Sequence, residues 1–255
     1  MLKMVKYEYR KNLFPLLVVF IIFGGLQIYF TLATMMKNET HSAISASLLM
    51  MAAFCAYLFV LIYGVATYNS DLKNKSGYLV FMAPISTYQV IGAKLLSTLL
   101  TGVTLVALIG VLGVVDYSFA AKQYGFEDII EFIKYMFESN DIAITTILLN
   151  VLVFVVVMLI EFFMTITVAY FAISLCSTAL QNKKFKGFVS FILFVVLTIA
   201  ISIIASKLPR LIDIREAETF LQSIYSMLPQ IGLYLVVMIA SFIGSGMLLD
   251  KQISL

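Results

Sequence analysis

Charged side chains are scarce: Asp, Glu, Lys and Arg together make up 12% of the 255 residues, about half the share a soluble domain carries. Histidine occurs once, at His41, and cysteine twice, at Cys55 and Cys176. A single histidine excludes the His clusters that hold zinc, and no His-Glu-x-x-His motif is found. His41 falls between two apolar runs and reads as a solvated loop residue. No Cys-x-x-Cys spacing exists. Cys55 lies inside one apolar run and Cys176 at the end of another, so no disulfide is expected and both read as small packing residues. The chain lacks Gly-x-x-x-x-Gly-Lys-Ser/Thr, so it has no loop to cradle nucleotide phosphates and is not expected to bind ATP itself. The net charge of +3 is spread over short loops rather than one basic face, so nucleic acid is not an expected partner.

What is present is apolar: 62% of the residues, with a mean hydropathy of +1.03. These residues come in long charge-free runs, not periodic stripes, and their solvent is lipid. A helix needs about 20 apolar residues to cross hydrocarbon, because each backbone N–H and C=O must be satisfied within the segment. Six stretches qualify: 13–36, 44–67, 95–115, 142–166, 188–205 and 231–249. The fold class predicted is an all-α integral membrane protein with six transmembrane helices in a single transmembrane domain, 1–255. The first run is too long for a signal-peptide core and lacks a small-residue cleavage site, so it is expected to stay as an anchor.

Orientation follows from Lys and Arg. With the amino terminus inside, eleven fall on the inner side and six on the outer, while Asp116, Glu127, Asp128, Glu131, Glu138 and Asp141 gather in the third-to-fourth loop. Both termini are therefore expected in the cytoplasm. Residues 1–12 alternate basic residues with Leu2, Val5, Tyr7 and Tyr9, which fits either a short interfacial helix or a plain basic flank. Two outer segments, 116–141 and 206–230, carry amphipathic patterns: Ile129, Phe132, Ile133, Met136 and Phe137 in one, and Leu211, Ile214, Leu221, Ile224, Tyr225 and Leu228 in the other, with Pro209 and Pro229 as breakers.

The inner loop 69–94 is the informative one. Gly77 and Pro84 interrupt it, Ser86 stands where a helix N-cap belongs, and Tyr78, Leu79, Phe81 and Met82 are apolar yet on the water side. Such residues on a short cytoplasmic segment are expected to meet a partner protein. Here the sequence resembles the permease subunits of ABC-2 type ABC exporters, in particular the compact six-span permeases of Firmicutes. The features that carry it are Lys75, Gly77, Tyr78, Leu79, Pro84, Ile85, Ser86, Gln89 and Lys94, leading straight into a span, together with the ending Leu248-Leu249-Asp250-Lys251-Gln252-Ile253-Ser254-Leu255.

The resemblance implies a coupling helix seated in a cleft of a separate ABC ATPase, with Lys75, Gly77, Tyr78, Leu79, Phe81, Pro84, Ser86 and Gln89 as coupling residues. It implies a second permease copy or homologue, ATP and Mg on the partner and no cofactor in this chain, and a bacterial plasma membrane. The first, second and fifth spans would face the pathway. The third-to-fourth loop departs from the pattern by being longer and acidic.

Among the spans Glu161 is the ionisable group that demands an explanation, since burying it unpaired costs about 2.5 kcal/mol or more. It lines a pathway or senses protons, or else the fourth helix slides inward so that Glu161 is hydrogen-bonded near a dimer contact or the cytoplasmic side. Gln27 and Thr31 are the other polar pathway candidates. The small-residue pairs Gly110 with Gly113 and Gly244 with Gly246 fit close helix packing. The function expected is export of an amphipathic or hydrophobic substrate, such as a membrane-active peptide. An ATP-independent secondary transporter or channel is the alternative.

Overall fold

The computed structural model describes residues 2–11, 13–73, 86–124, 144–179, 185–209 and 220–253, and every regular element among them is an α-helix. In chain order these are α1 (Leu2–Lys11), α2 (Leu13–Met35), α3 (Glu39–Lys73), α4 (Thr87–Tyr124), α5 (Ile144–Ala179), α6 (Lys186–Lys207), α7 (Phe220–Ser226) and α8 (Leu228–Ile253). Six of them, α2 to α6 and α8, are long and apolar enough to cross a membrane, the qualifying stretch of α5 being Leu152–Ala179. The chain divides into two compact units, Met1–Tyr63 with Leu96–Asn140 and Gly64–Leu95 with Asp141–Leu255.

Several boundaries differ from those the hydropathy implies. α3 holds 35 residues and α4 holds 38, so each is over 50 Å long at about 1.5 Å per residue, well beyond ~30 Å of hydrocarbon. The loop expected at 69–94 is thereby reduced: α3 continues to Lys73 and α4 starts at Thr87, leaving 74–86 as the connection. The third helix also runs past 115 to Tyr124, into the segment expected to be an outer loop. The fourth covers Ile144–Ala179 instead of ending near 166. Polar residues such as Asp71 and Lys94 stop a hydropathy run without stopping a helix when they find partners there. The amphipathic stretch 127–138 lies outside the described residues, as do 210–219 of the segment before the last span. α7 is the described helical part of that segment, and Pro229 falls in the first turn of α8, where its missing N–H has no helical partner to lose. α6 ends at Lys207 and is capped by Leu208, whose extended ψ of 139° is what the following Pro209 imposes.

In the first unit α2 buries Leu16, Phe23 and Phe30, one stripe at seven-residue intervals. The turn into α3 is tight. Asn38 N–H donates to the Ala33 carbonyl at 3.2 Å and Lys37 N–H to the Thr34 carbonyl at 3.1 Å, the Schellman pattern, with Lys37 left-handed at φ 55°. Asn38 then caps α3, its side-chain oxygen accepting from the His41 N–H at 3.2 Å. His41 thus sits in the first turn of α3, not in a loop, and its Nδ1 is 2.9 Å from the Tyr29 hydroxyl. Because a side chain at a left-handed position is strained and glycine is not, Lys37→Gly is expected to raise the melting temperature slightly, by the equivalent of about 0.5–1 kcal/mol. Thermal unfolding in detergent checks it.

In the second unit α5 packs along α6 and α8. Its C-terminal half is the core, with Ile166, Val168, Ala169, Tyr170, Ala172 and Ile173 buried on all sides of the helix. The Phe171 ring lies against Gly244, where an added Cβ would be 2.7 Å away, and Glu161 is within electrostatic reach of Tyr234. Both pairs are 73 residues apart, so α5 and α8 run parallel in that register. It follows that α5 extends about 11 residues, roughly 16 Å, past the start of α8.

Candidate functional site

The 74–86 connection is the segment the sequence singles out, and the structure shows how its two ends are held. α3 presents a buried stripe of Gly64, Tyr68 and Asp71, spaced four and three residues apart on one face. α4, starting after the connection, buries Thr87, Val90, Ile91, Ala93, Lys94 and Leu95. Where these faces belong to the same unit, the Lys94 ammonium donates to the Asp71 carboxylate. Lys94 is only 1% exposed. The Asp71 carboxylate takes the place of water as the partner of this buried side chain.

A second set of contacts ties both ends of the connection to α5 and α8. Tyr68 and Tyr170 stack with centroids 4.1 Å apart and planes 17° from parallel. The Tyr68 and Ser174 hydroxyls are hydrogen-bonded at 2.5 Å, and the Tyr170 hydroxyl donates to the Gly64 carbonyl at 3.2 Å. Thr87, the first residue of α4, donates to the Asp250 carboxylate near the end of α8. Tyr88 lies against Phe242, with centroids 6.0 Å apart, and its ring covers Gly246. A displacement of either end of the connection therefore moves an ion pair, two stacked tyrosines and the C-terminal turns of α5 and α8 together.

Of the residues expected to couple, Lys75, Gly77, Tyr78, Leu79, Phe81 and Pro84 lie outside the described residues. Ser86 and Gln89 are described and exposed. Ser86 immediately precedes α4, and its carbonyl accepts from the N–H groups of Gln89 and Val90 at 2.9 and 3.2 Å, the N-cap position its spacing implied. The pathway candidates fall in different units. Gln27 and Thr31 belong to the first unit and Glu161 to the second. Gln27 donates its amide to Asp116, leaving its side-chain oxygen buried without a partner, and Thr31 bonds back to the Gln27 carbonyl at 2.8 Å. Glu161 is exposed on α5, nine residues into the apolar stretch Leu152–Ala179. Cys55 is exposed and Cys176 buried, both as free thiols. Among the described residues no group of three His, Cys, Asp or Glu side chains is placed to hold a metal ion.

Asp71, Thr87, Asp250, Tyr68 and Tyr170 are the members of this site that sequence reasoning passed over. The available signal was one acid and one base, each closing an apolar run on either side of the same connection. Fold and site together define a multi-pass helical membrane protein with a polar clamp at the base of one interhelical connection. Comparison with protein-family models, curated proteins and solved structures gives no match.

Proposed function

We propose that the chain is the transmembrane permease subunit of an ATP-driven exporter of the ABC-2 type, with the 74–86 connection as the element that receives force from a separate ABC ATPase. The observation that carries this is the clamp. A connection pinned by Asp71–Lys94 and Thr87–Asp250 and braced on α5 and α8 is mechanically suited to pass a push into the membrane helices. Rigid helices joined by buried, specific contacts move as bodies between discrete packings. The resemblance at Gly77, Pro84, Ser86 and Gln89 supports the same assignment.

On this account the connection and both termini face the cytoplasm of a bacterial cell, and ATP and Mg are bound by the partner. A second copy or homologue completes the pathway. The cargo is amphipathic or hydrophobic, because the spans offer few charged groups to a hydrophilic one. Co-purification of the tagged chain with a stoichiometric ABC ATPase, and vanadate-sensitive ATP hydrolysis by that complex, test it. Substitution of Gly77, Pro84 or Ser86 is expected to reduce the permease's stimulation of hydrolysis severalfold while the protein stays monodisperse. Full stimulation in all three variants would contradict the assignment.

A further inference from the structure

α1 turns a different face outward from the one an inserted amphipathic helix would. Its apolar side is used by the chain itself: Val5 is 6% exposed and Glu8 3%. The Tyr9 hydroxyl is 3.0 Å from the Thr104 hydroxyl, and the Tyr63 hydroxyl donates to the Lys11 carbonyl at 3.5 Å. Lys3, Lys6 and Arg10 are exposed, with Tyr7 beside them at 68%. At 100° per residue these three cations fall within about 60° of one another on the helix wheel. The acid of the helix, Glu8, is on the opposite, buried side, so no negative charge interrupts the basic face. α1 ends at Lys11 and α2 begins at Leu13, with Leu13 and Phe14 exposed as the first apolar residues of a membrane-crossing helix. The basic face is therefore covalently fixed at the edge of the hydrocarbon, where phospholipid phosphates lie.

We infer that Lys3, Lys6 and Arg10 of α1 form a binding surface for the headgroups of anionic phospholipids, and that the attraction is electrostatic, not insertional. Val5 is packed within the chain and not available to insert, so charge complementarity decides. Basic residues beside an anionic surface each strengthen association about fivefold at low salt, and the effect fades as salt screens it.

The test uses the full chain in bilayers of phosphatidylcholine with and without phosphatidylglycerol, read by the association constant of spin-labelled phosphatidylglycerol relative to phosphatidylcholine at the protein surface. Wild type is expected to prefer phosphatidylglycerol severalfold. The K3Q/K6Q/R10Q variant is expected to lose most of that preference, K3R/K6R to keep it, and Tyr7→Ser to change it little. Raising salt should abolish it. Equal preference in wild type and K3Q/K6Q/R10Q, with both folded by gel filtration, would overturn the assignment. So would a wild type that does not distinguish the two lipids, which would point to an acidic protein surface as the occupant.

Discussion

Replacing Lys94 by Met is expected to destabilise the protein by about 3–5 kcal/mol, the largest effect of any single substitution considered, because it removes the ammonium paired with the Asp71 carboxylate in a buried site. Methionine nearly matches lysine in volume, so the loss is one of charge pairing and not of packing. The companion prediction separates the two. Asp71→Leu combined with Lys94→Met removes both charges, and a pair of apolar residues in a buried site is often as stable as the ion pair it replaces. The double variant is therefore expected to melt close to wild type in detergent while Lys94→Met alone melts far lower. A single variant that melts with the wild type would show that water reaches Lys94.

Gly246→Ala carries the second largest expectation. The added Cβ would fall 2.3 Å from the ring of Tyr88, and Phe242, one turn earlier on α8, lies against the same ring. Overpacking of this kind costs about 1–3 kcal/mol, and the strain has two ways to relax. Tyr88 shifts and drags the first turn of α4, next to the 74–86 connection, or α8 moves away from α4. In either case the start of α4 changes position relative to α8, so on the proposed function ATPase stimulation is expected to fall along with stability. Tyr88→Ala in the same chain makes room for the methyl group. It is expected to return much of the lost stability relative to Tyr88→Ala alone, a coupling that a double-mutant cycle of melting temperatures measures.

The six membrane-crossing helices were legible in the sequence because long charge-free runs have no other solvent to choose. α6 and α8 end within a few residues of where the hydropathy places them. The ends of α3 and α4 were not legible for the opposite reason. Asp71 and Lys94 resemble loop residues until their pairing with one another, across two helices, is known. The stacking of Tyr68 on Tyr170 joins residues 102 positions apart in the chain, a distance over which no local pattern carries information. The N-cap at Ser86 was legible, since capping depends only on neighbouring residues. The orientation of α1 was only half legible: its pattern fitted a short interfacial helix or a plain basic flank, and whether protein or lipid takes the apolar side depends on what lies beside Val5 and Glu8.

The central claim is that the connection after α3 faces the cytoplasm, where an ATPase can push on it. Ser76→Cys, in a background with Cys55→Ser and Cys176→Ala, places one thiol on that connection for a membrane-impermeant maleimide. Protection in intact cells and rapid labelling in inside-out vesicles is the predicted result. Rapid labelling in intact cells, with protection in the vesicles, would put the connection outside the cell and contradict the account.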